Sequence, residues 1–568
     1  MRNLTDRRLH ARTLAVSLLI TIAGRALAQP TPADPAAGTT APPAATVTGE
    51  AVPDLAELAA RGFRVGEVHL SLGNVFEKSE GGDRIWFFKM ANRLHRTTRP
   101  EVIRRILLFA PGEPLNPGRI AESERLLRGQ RLFYDARIVP TAVRDGVVDL
   151  EVQTRDVWSL AAGVGVGRSG GVSTSRFEVE DSNFLGTGKD LQFRFESGVD
   201  RDLGYIRYRD PNLLGSRVRL DGEIARANDG REKRFEIERP FYSLDTRWGL
   251  GATFLDVSRI EPHYQLGKVR NRYGKTWQFA ELRGGWSRGL VGDRTRRWLA
   301  GFTWDDYDFY RARKRPRPGP IPPDRALMYP WIGGEWIRDG YVVAHDLDKI
   351  ERSEDLNLGR QASLRFGRTI PRFGSTFADW VLSGSFSDGK RWGGRHLVLT
   401  SATLWGRVRD SKATDTLLSG SVRYFWNDFS NGRLLIGAQL AIARDLDPDR
   451  QLLLGGDNGL RGYPLRYQQG DRLALLTVEQ RVYRDREYFH LFRLGAAGFF
   501  DVGRAWDPYP STRNLAVDGV LRDIGIGLRV SSSRSSRAAM VHFDVAYPLD
   551  GPGDISKVQW LVQTSDTF

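Results

Sequence analysis

From Trp158 onward, apolar and polar residues alternate with a period of two. Leu191-Gln-Phe-Arg-Phe-Glu196, Val218-Arg-Leu-Asp-Gly-Glu223, His396-Leu-Val-Leu-Thr400 and Leu434-Leu-Ile-Gly-Ala-Gln439 are typical runs, separated by Asp, Asn, Gly or Pro turns. Successive side chains of a strand point to opposite faces, so this period predicts half-buried strands. No stretch beyond residue 28 reaches 18 apolar residues, which excludes a helical span in the mature chain. A membrane barrel needs no such run, because its lipid face uses one residue in two. Aromatics near many predicted strand ends (Trp248, Trp277, Trp298, Trp331, Trp405, Trp426, Trp506, Trp560) fit an interfacial girdle. A soluble multi-sheet protein explains the alternation equally well, but explains less well a final strand that ends in Phe568.

Upstream the pattern changes. Arg7, Arg8 and Arg12 precede the apolar run from Leu14 to Ala23, and Ala26-Leu27-Ala28 follows. This predicts a secretory signal peptide over residues 1–28. Residues 29–60, rich in Pro and Ala, read as a linker with little to bury. Residues 61–157 predict a small α/β domain in the order β-α-α-β-β. Val65 to Leu70 alternates, RPEVIRRILLF from Arg99 to Phe109 has helical spacing, and Pro117 opens a second helical pattern. Arg144-Asp145-Gly146 then marks the turn of a hairpin.

Composition narrows the partners. The 568 residues carry a formal charge of +15, and loss of five arginines and Asp6 with the signal peptide leaves +11. A basic exported chain suits anionic lipid head groups or anionic polymers, and nucleic acid is not expected as a partner. There is no cysteine, which excludes disulfides and thiol chemistry. Arg311-Ala-Arg313-Lys314-Arg315-Pro-Arg317 is a basic run that strand parity places outside the cell, where it meets lipopolysaccharide phosphates or only solvent.

No catalytic set stands out, and neither a metal nor a cofactor is expected. Gly167-Arg-Ser169-Gly-Gly171 fits the nucleophile-elbow spacing but is followed by a strand, not a helix. Gly186-Thr-Gly188-Lys189 lacks the full phosphate-loop spacing, and none of the histidines forms an H-x-x-x-H pair. A repeat is present instead: Asp181-Ser-Asn183-Phe-Leu-Gly186 returns as Asp210-Pro-Asn212-Leu-Leu-Gly215, the length of one membrane hairpin later.

Several short motifs, taken in order, are similar to those of the outer-membrane barrel-assembly and two-partner-secretion transporter superfamily of the bacterial surface-antigen type. They are Gly459-Leu-Arg461-Gly462-Tyr463-Pro464, Glu479-Gln-Arg481, Phe499-Phe-Asp501-Val-Gly503, Gly525-Ile-Gly527-Leu-Arg529 and Phe543-Asp-Val-Ala-Tyr-Pro-Leu549. The resemblance implies a transmembrane antiparallel β-barrel over residues 158–568 and one periplasmic POTRA-like domain over 61–157. It implies 16 strands, whereas the alternating segments number up to 20, about fifteen of them before Arg461. It also implies a loop, residues 451–471, folded back into the lumen, where Arg461 meets Asp501 and shares Glu479, with Gly462 and Tyr463 completing the lock. Treated as a pair, Arg461 and Asp501 should tolerate a reciprocal swap. Ser565 stands where the family's terminal signal has glycine, and one POTRA-like domain replaces the usual two or more.

Gly163, Gly165 and Gly167 alternate in the first barrel strand and weaken it. If that strand closes on the one ending at Phe568, the seam between them is an edge to which a client strand can add. The leading function is an outer-membrane insertase or translocase for unfolded outer-membrane or secreted polypeptides, with periplasmic accessory proteins and lipid as further partners. The alternatives are a secretion pore for one exoprotein and a passive channel.

Overall fold

The structure, a computed structural model, describes residues 54–73, 75, 96–313, 319–350, 352–429, 432–489, 491–508, 519–534, 540–551, 553 and 555–565. The predicted signal peptide, Phe568 and most of the basic run after Arg313 lie outside these residues.

The N-terminal unit begins with helix α1 (Leu55–Ala60), capped by the Asp54 side chain on the Ala56 N–H. This corrects the reading of 29–60 as linker throughout. Leu58 is buried in the core of the unit, so the packed chain begins several residues earlier than composition suggests. Strand β1 (Arg64–Gly73), helix α2 (Pro100–Ile106), helix α3 (Pro117–Arg128) and strands β2 (Phe133–Arg144) and β3 (Val147–Asp156) follow. Proline opens both later helices, where its missing N–H costs nothing. The sheet order is β1-β3-β2, with β1 parallel to β3. Ile103, Leu127, Val148 and Leu150 are fully buried between helices and sheet.

The rest of the chain closes into an antiparallel barrel of twenty strands, from β4 (Leu160–Ser169) to Gln559–Ser565. The 16 strands implied by the resemblance are thereby corrected to the number the alternation gives, with fifteen before the Arg461 loop and five after it. An even count returns both ends of the barrel chain to the side of the small unit. Outward positions carry a belt of apolar side chains such as Val164, Phe195, Ile224, Leu250, Leu282, Ile332, Ile526 and Val545. Inward positions are polar and paired, as in Arg207–Asp221 at 2.6 Å and Arg219–Glu238 at 2.5 Å. That division suits a lipid-facing exterior.

Trp248, Trp298 and Trp560 are exposed on the outer face, but Trp277 and Trp331 are not girdle residues. Both point inward, where Trp277 Nε1 donates to Asp305 at 2.7 Å and Trp331 Nε1 to Thr303 at 3.1 Å. A period of two gives two faces without saying which one meets lipid. Strand length also varies: 24 residues in Lys268–Val291 but 8 in Asp190–Ser197, so the wall is lowest near β4.

The small unit sits against one barrel end. Asn183 Nδ2 donates to Thr98 Oγ1 at 2.8 Å, the Arg99 N–H to Gly186 O at 2.9 Å, and Arg217 to Leu107 O at 2.9 Å. The repeated turns provide this surface. Leu185 and Leu214 share a positive φ (55° and 52°), and Asp181 and Asp210 each accept the N–H two residues on. Glu122 of α3 accepts the Leu244 N–H at 2.9 Å and pairs with Arg125. Burial raises its carboxyl above the usual range.

Candidate functional site

Two inserts enter the lumen from opposite ends. The first is the lid, residues 445–471, between strands Gly432–Arg444 and Arg472–Tyr488. Its core is apolar: Leu454, Leu460, Tyr463 and Tyr467 pack on Leu473, Leu475, Ala505 and Leu521 of the wall. Charges tie its rim to the mouth, with Arg466 to Asp200 of a hairpin turn at 3.0 Å and Asp449 to the wall residues Lys275 at 3.2 Å and Arg325 at 2.7 Å.

At the tip, Arg461 lies inside the barrel. Its Nε and Nη2 donate to the two oxygens of Asp501, at 2.7 and 3.0 Å. Its Nη1 donates to Glu479 at 2.7 Å and to Asp544 at 3.3 Å. The guanidinium plane lies 3.3 Å above the Phe499 ring centre, a stacking that lysine does not reproduce. Glu479 also accepts from Arg481 at 2.9 Å and from Arg529 at 3.0 Å, and Arg529 bonds Asp544 as well. Three guanidiniums thus alternate with three carboxylates, all buried. Sequence reasoning singles out Arg461, Glu479 and Asp501, and misses Arg529, Asp544 and Phe499 as partners. Their signal is the Gly525-Ile-Gly527-Leu-Arg529 strand. A side chain at Gly525 would overlap the Phe499 ring, and one at Gly527 would overlap Asp544 and Arg529.

Tyr463 places its hydroxyl against the wall, donating to Arg522 O at 2.7 Å and accepting from the Arg522 N–H at 3.2 Å. Gly462 lies flat on the wall, and its role is close approach.

At the seam, β4 and Gln559–Ser565 face each other in a single register pair, Val562 opposite Arg168, among the described residues. Side chains staple the rest: Arg168 stacks on Trp560 at 4.5 Å, and Gln563 donates to Ser169 at 3.2 Å. Gly163, Gly165 and Gly167 alternate with the exposed Val164 and Val166, leaving the inner face of β4 bare. Gly163 has open space for 4 Å around the place a Cβ would take, whereas a Cβ on Gly165 would abut Arg176. Ser169 Oγ donates to Gly456 O, so the lid touches the seam.

The second insert is a hairpin from the small-unit side, Tyr341–His345 with Ser353–Asn357. It rests on Leu397, Phe425 and Leu435. These share one register row across the wall with Glu479 and Phe499, so the two inserts rest on the same row.

Among solved structures the chain is similar to CdiB from Escherichia coli (15% identity, 88% of this chain and 76% of that one, TM-score 0.45). It is also similar to CdiB from Acinetobacter baumannii (14%, 96% and 95%, TM-score 0.43). A third is BamA from Haemophilus ducreyi lacking POTRA domains 1–3 (13%, 88% and 84%, TM-score 0.39). No family model and no curated protein matches the chain.

Proposed function

We propose that this chain is an outer-membrane insertase or translocase that takes unfolded polypeptides from the periplasm and inserts them into, or passes them through, the outer membrane. The observation that supports this most is Arg461, a mouth-loop guanidinium buried in a closed barrel and held by three carboxylates. A passive channel with such an insert gains at most ion selectivity. A transporter gains more, because the insert narrows the bore between clients and holds the neighbouring strands in register. Arg461, Gly462, Tyr463, Glu479 and Asp501 are then a clamp with no covalent chemistry. Residues 61–157 act as a periplasmic POTRA-like domain, and residues 1–28 direct export.

A secretion pore for one exoprotein is the second reading. The twenty-strand wall favours it, since barrel diameter grows with strand number. Depletion of the protein followed by an inventory of outer-membrane and secreted proteins separates the two. A broad fall in outer-membrane proteins supports the insertase, loss of one secreted protein supports the pore, and no change removes both.

In the insertase reading the client enters the bilayer at the seam. Residues directly opposite in an antiparallel ladder lie about 4.5–5.5 Å apart at Cα, within disulfide range. The chain has no cysteine of its own, so Arg168→Cys with Val562→Cys gives a single defined cross-link. Oxidised, this variant is expected to lose client insertion and to recover on reduction. Full activity of the cross-linked barrel would reject an opening seam.

A further inference from the structure

The Tyr341–Asn357 hairpin is not needed to close the barrel, whose strands Arg325–Arg338 and Gln361–Arg368 pair directly. It nevertheless lies on a specific surface. Leu347 and Leu356 fill an apolar floor made by Leu397, Phe425 and Leu435, and Ile350 packs against Tyr483 and Met540. Around that floor stand three wall arginines. Arg433 donates to His345 O at 2.7 Å, Arg481 to Leu347 O at 2.7 Å, and Arg423 pairs with Asp348 at 2.9 Å. Two of the three hold backbone carbonyls, which every polypeptide offers. The third holds a carboxylate. The hairpin is aliphatic and net acidic: Asp346, Asp348, Glu351, Glu354 and Asp355 outnumber Lys349 and Arg352 in one short stretch.

The small unit latches the hairpin from outside. Arg128 of α3 pairs with Asp355 at 2.8 Å, and Arg125 lies 3.5 Å over the Tyr341 ring. The tip is folded on itself, with Glu354 accepting the backbone N–H groups of Leu347 at 2.8 Å and Asp348 at 3.1 Å. The tip is therefore held in shape by its own bonds as well as by the wall.

We infer that this floor is a binding site for an incoming polypeptide segment of alternating aliphatic and acidic residues, and that the hairpin is its resident occupant, displaced by the client. Charge complementarity with Arg423, Arg433 and Arg481 sets the preference. Arg481 also bonds Glu479, so the same guanidinium touches both hairpin and lock. The proposal rests on the transport reading.

The test uses the full-length barrel in planar bilayers, with a variant whose residues 341–357 are replaced by a short Gly-Ser turn. Barrel folding is checked by heat-modifiable gel mobility. Ion conductance is expected to rise several-fold. A synthetic peptide of residues 339–359, added on the small-unit side, is expected to close the variant again, and the same peptide with its acidic residues changed to lysine is not. Unchanged conductance of the folded variant, or equal closure by both peptides, overturns the inference. Should the deletion fail to fold, Asp348→Arg is expected to raise conductance and Asp348→Arg with Arg423→Asp to lower it towards the parent; no difference between them overturns the inference equally. Closure by the added peptide probes this floor, and the depletion inventory probes the transport reading, so the two failures are distinguishable.

Discussion

Asp501→Arg is expected to free the lid and depress client levels, and adding Arg461→Asp is not expected to restore them. The reciprocal swap would succeed if the lock were a pair. The structure makes it a cluster: Arg461 faces Glu479 and Asp544 as well as Asp501. In the double variant an aspartate at 461 can meet an arginine at 501, but it also stands beside Glu479 and Asp544, which lose the guanidinium that paired with them. Leaving a charge buried without its partner costs about 3–5 kcal/mol. Each 1.4 kcal/mol is about tenfold in an equilibrium, so the seated lid should lose at least about a hundredfold in population. External protease on isolated outer membranes measures this as cleavage within residues 445–471, with gel mobility confirming a folded barrel. A double variant that regains both parental protection and client levels would reduce the lock to Arg461 and Asp501 alone.

The swap fails because sequence spacing carries no depth. Alternation locates the strands well: the fifteen segments before Arg461 are there, and with the five after it the even total puts both barrel ends beside the small unit. It does not say which inward residues share a level. Asp544 lies 83 residues from Arg461 and three strands beyond Glu479, and only the stagger of the barrel brings them together. Trp277 and Trp331 fail for a related reason, since an aromatic reads the same on either face. The Tyr341–Asn357 hairpin alternates like its neighbours, yet it pairs only with itself and leaves the wall. Helix α1 is hidden because its Leu-Ala-Glu-Leu-Ala-Ala composition continues the linker and one residue, Leu58, does the packing. The charged lock is legible at Arg461, where a motif marks it, and illegible at Gly525 and Gly527, whose meaning is the room they leave for Phe499, Asp544 and Arg529.

Glycine at the contact surface gives the second large effect. Gly462→Ala removes no charge and no hydrogen bond, yet it is expected to unseat the lid. A Cβ there would lie 2.6 Å from the Asp523 Cβ and 3.1 Å from the Pro548 backbone nitrogen. Neither is the tip of a flexible side chain, so the loop must lift. Overpacking of this kind typically costs about 1–3 kcal/mol, and here the lift also lengthens the Arg461 bonds to Asp501 and Glu479. Gly163→Ala is the matched control: open space surrounds that position, so lid protection should stay at the parental level. Protease clipping of residues 445–471 compares the two variants directly. Parental protection in Gly462→Ala would mean that the loop seats without close approach to the wall, and that the ionic cluster alone retains it.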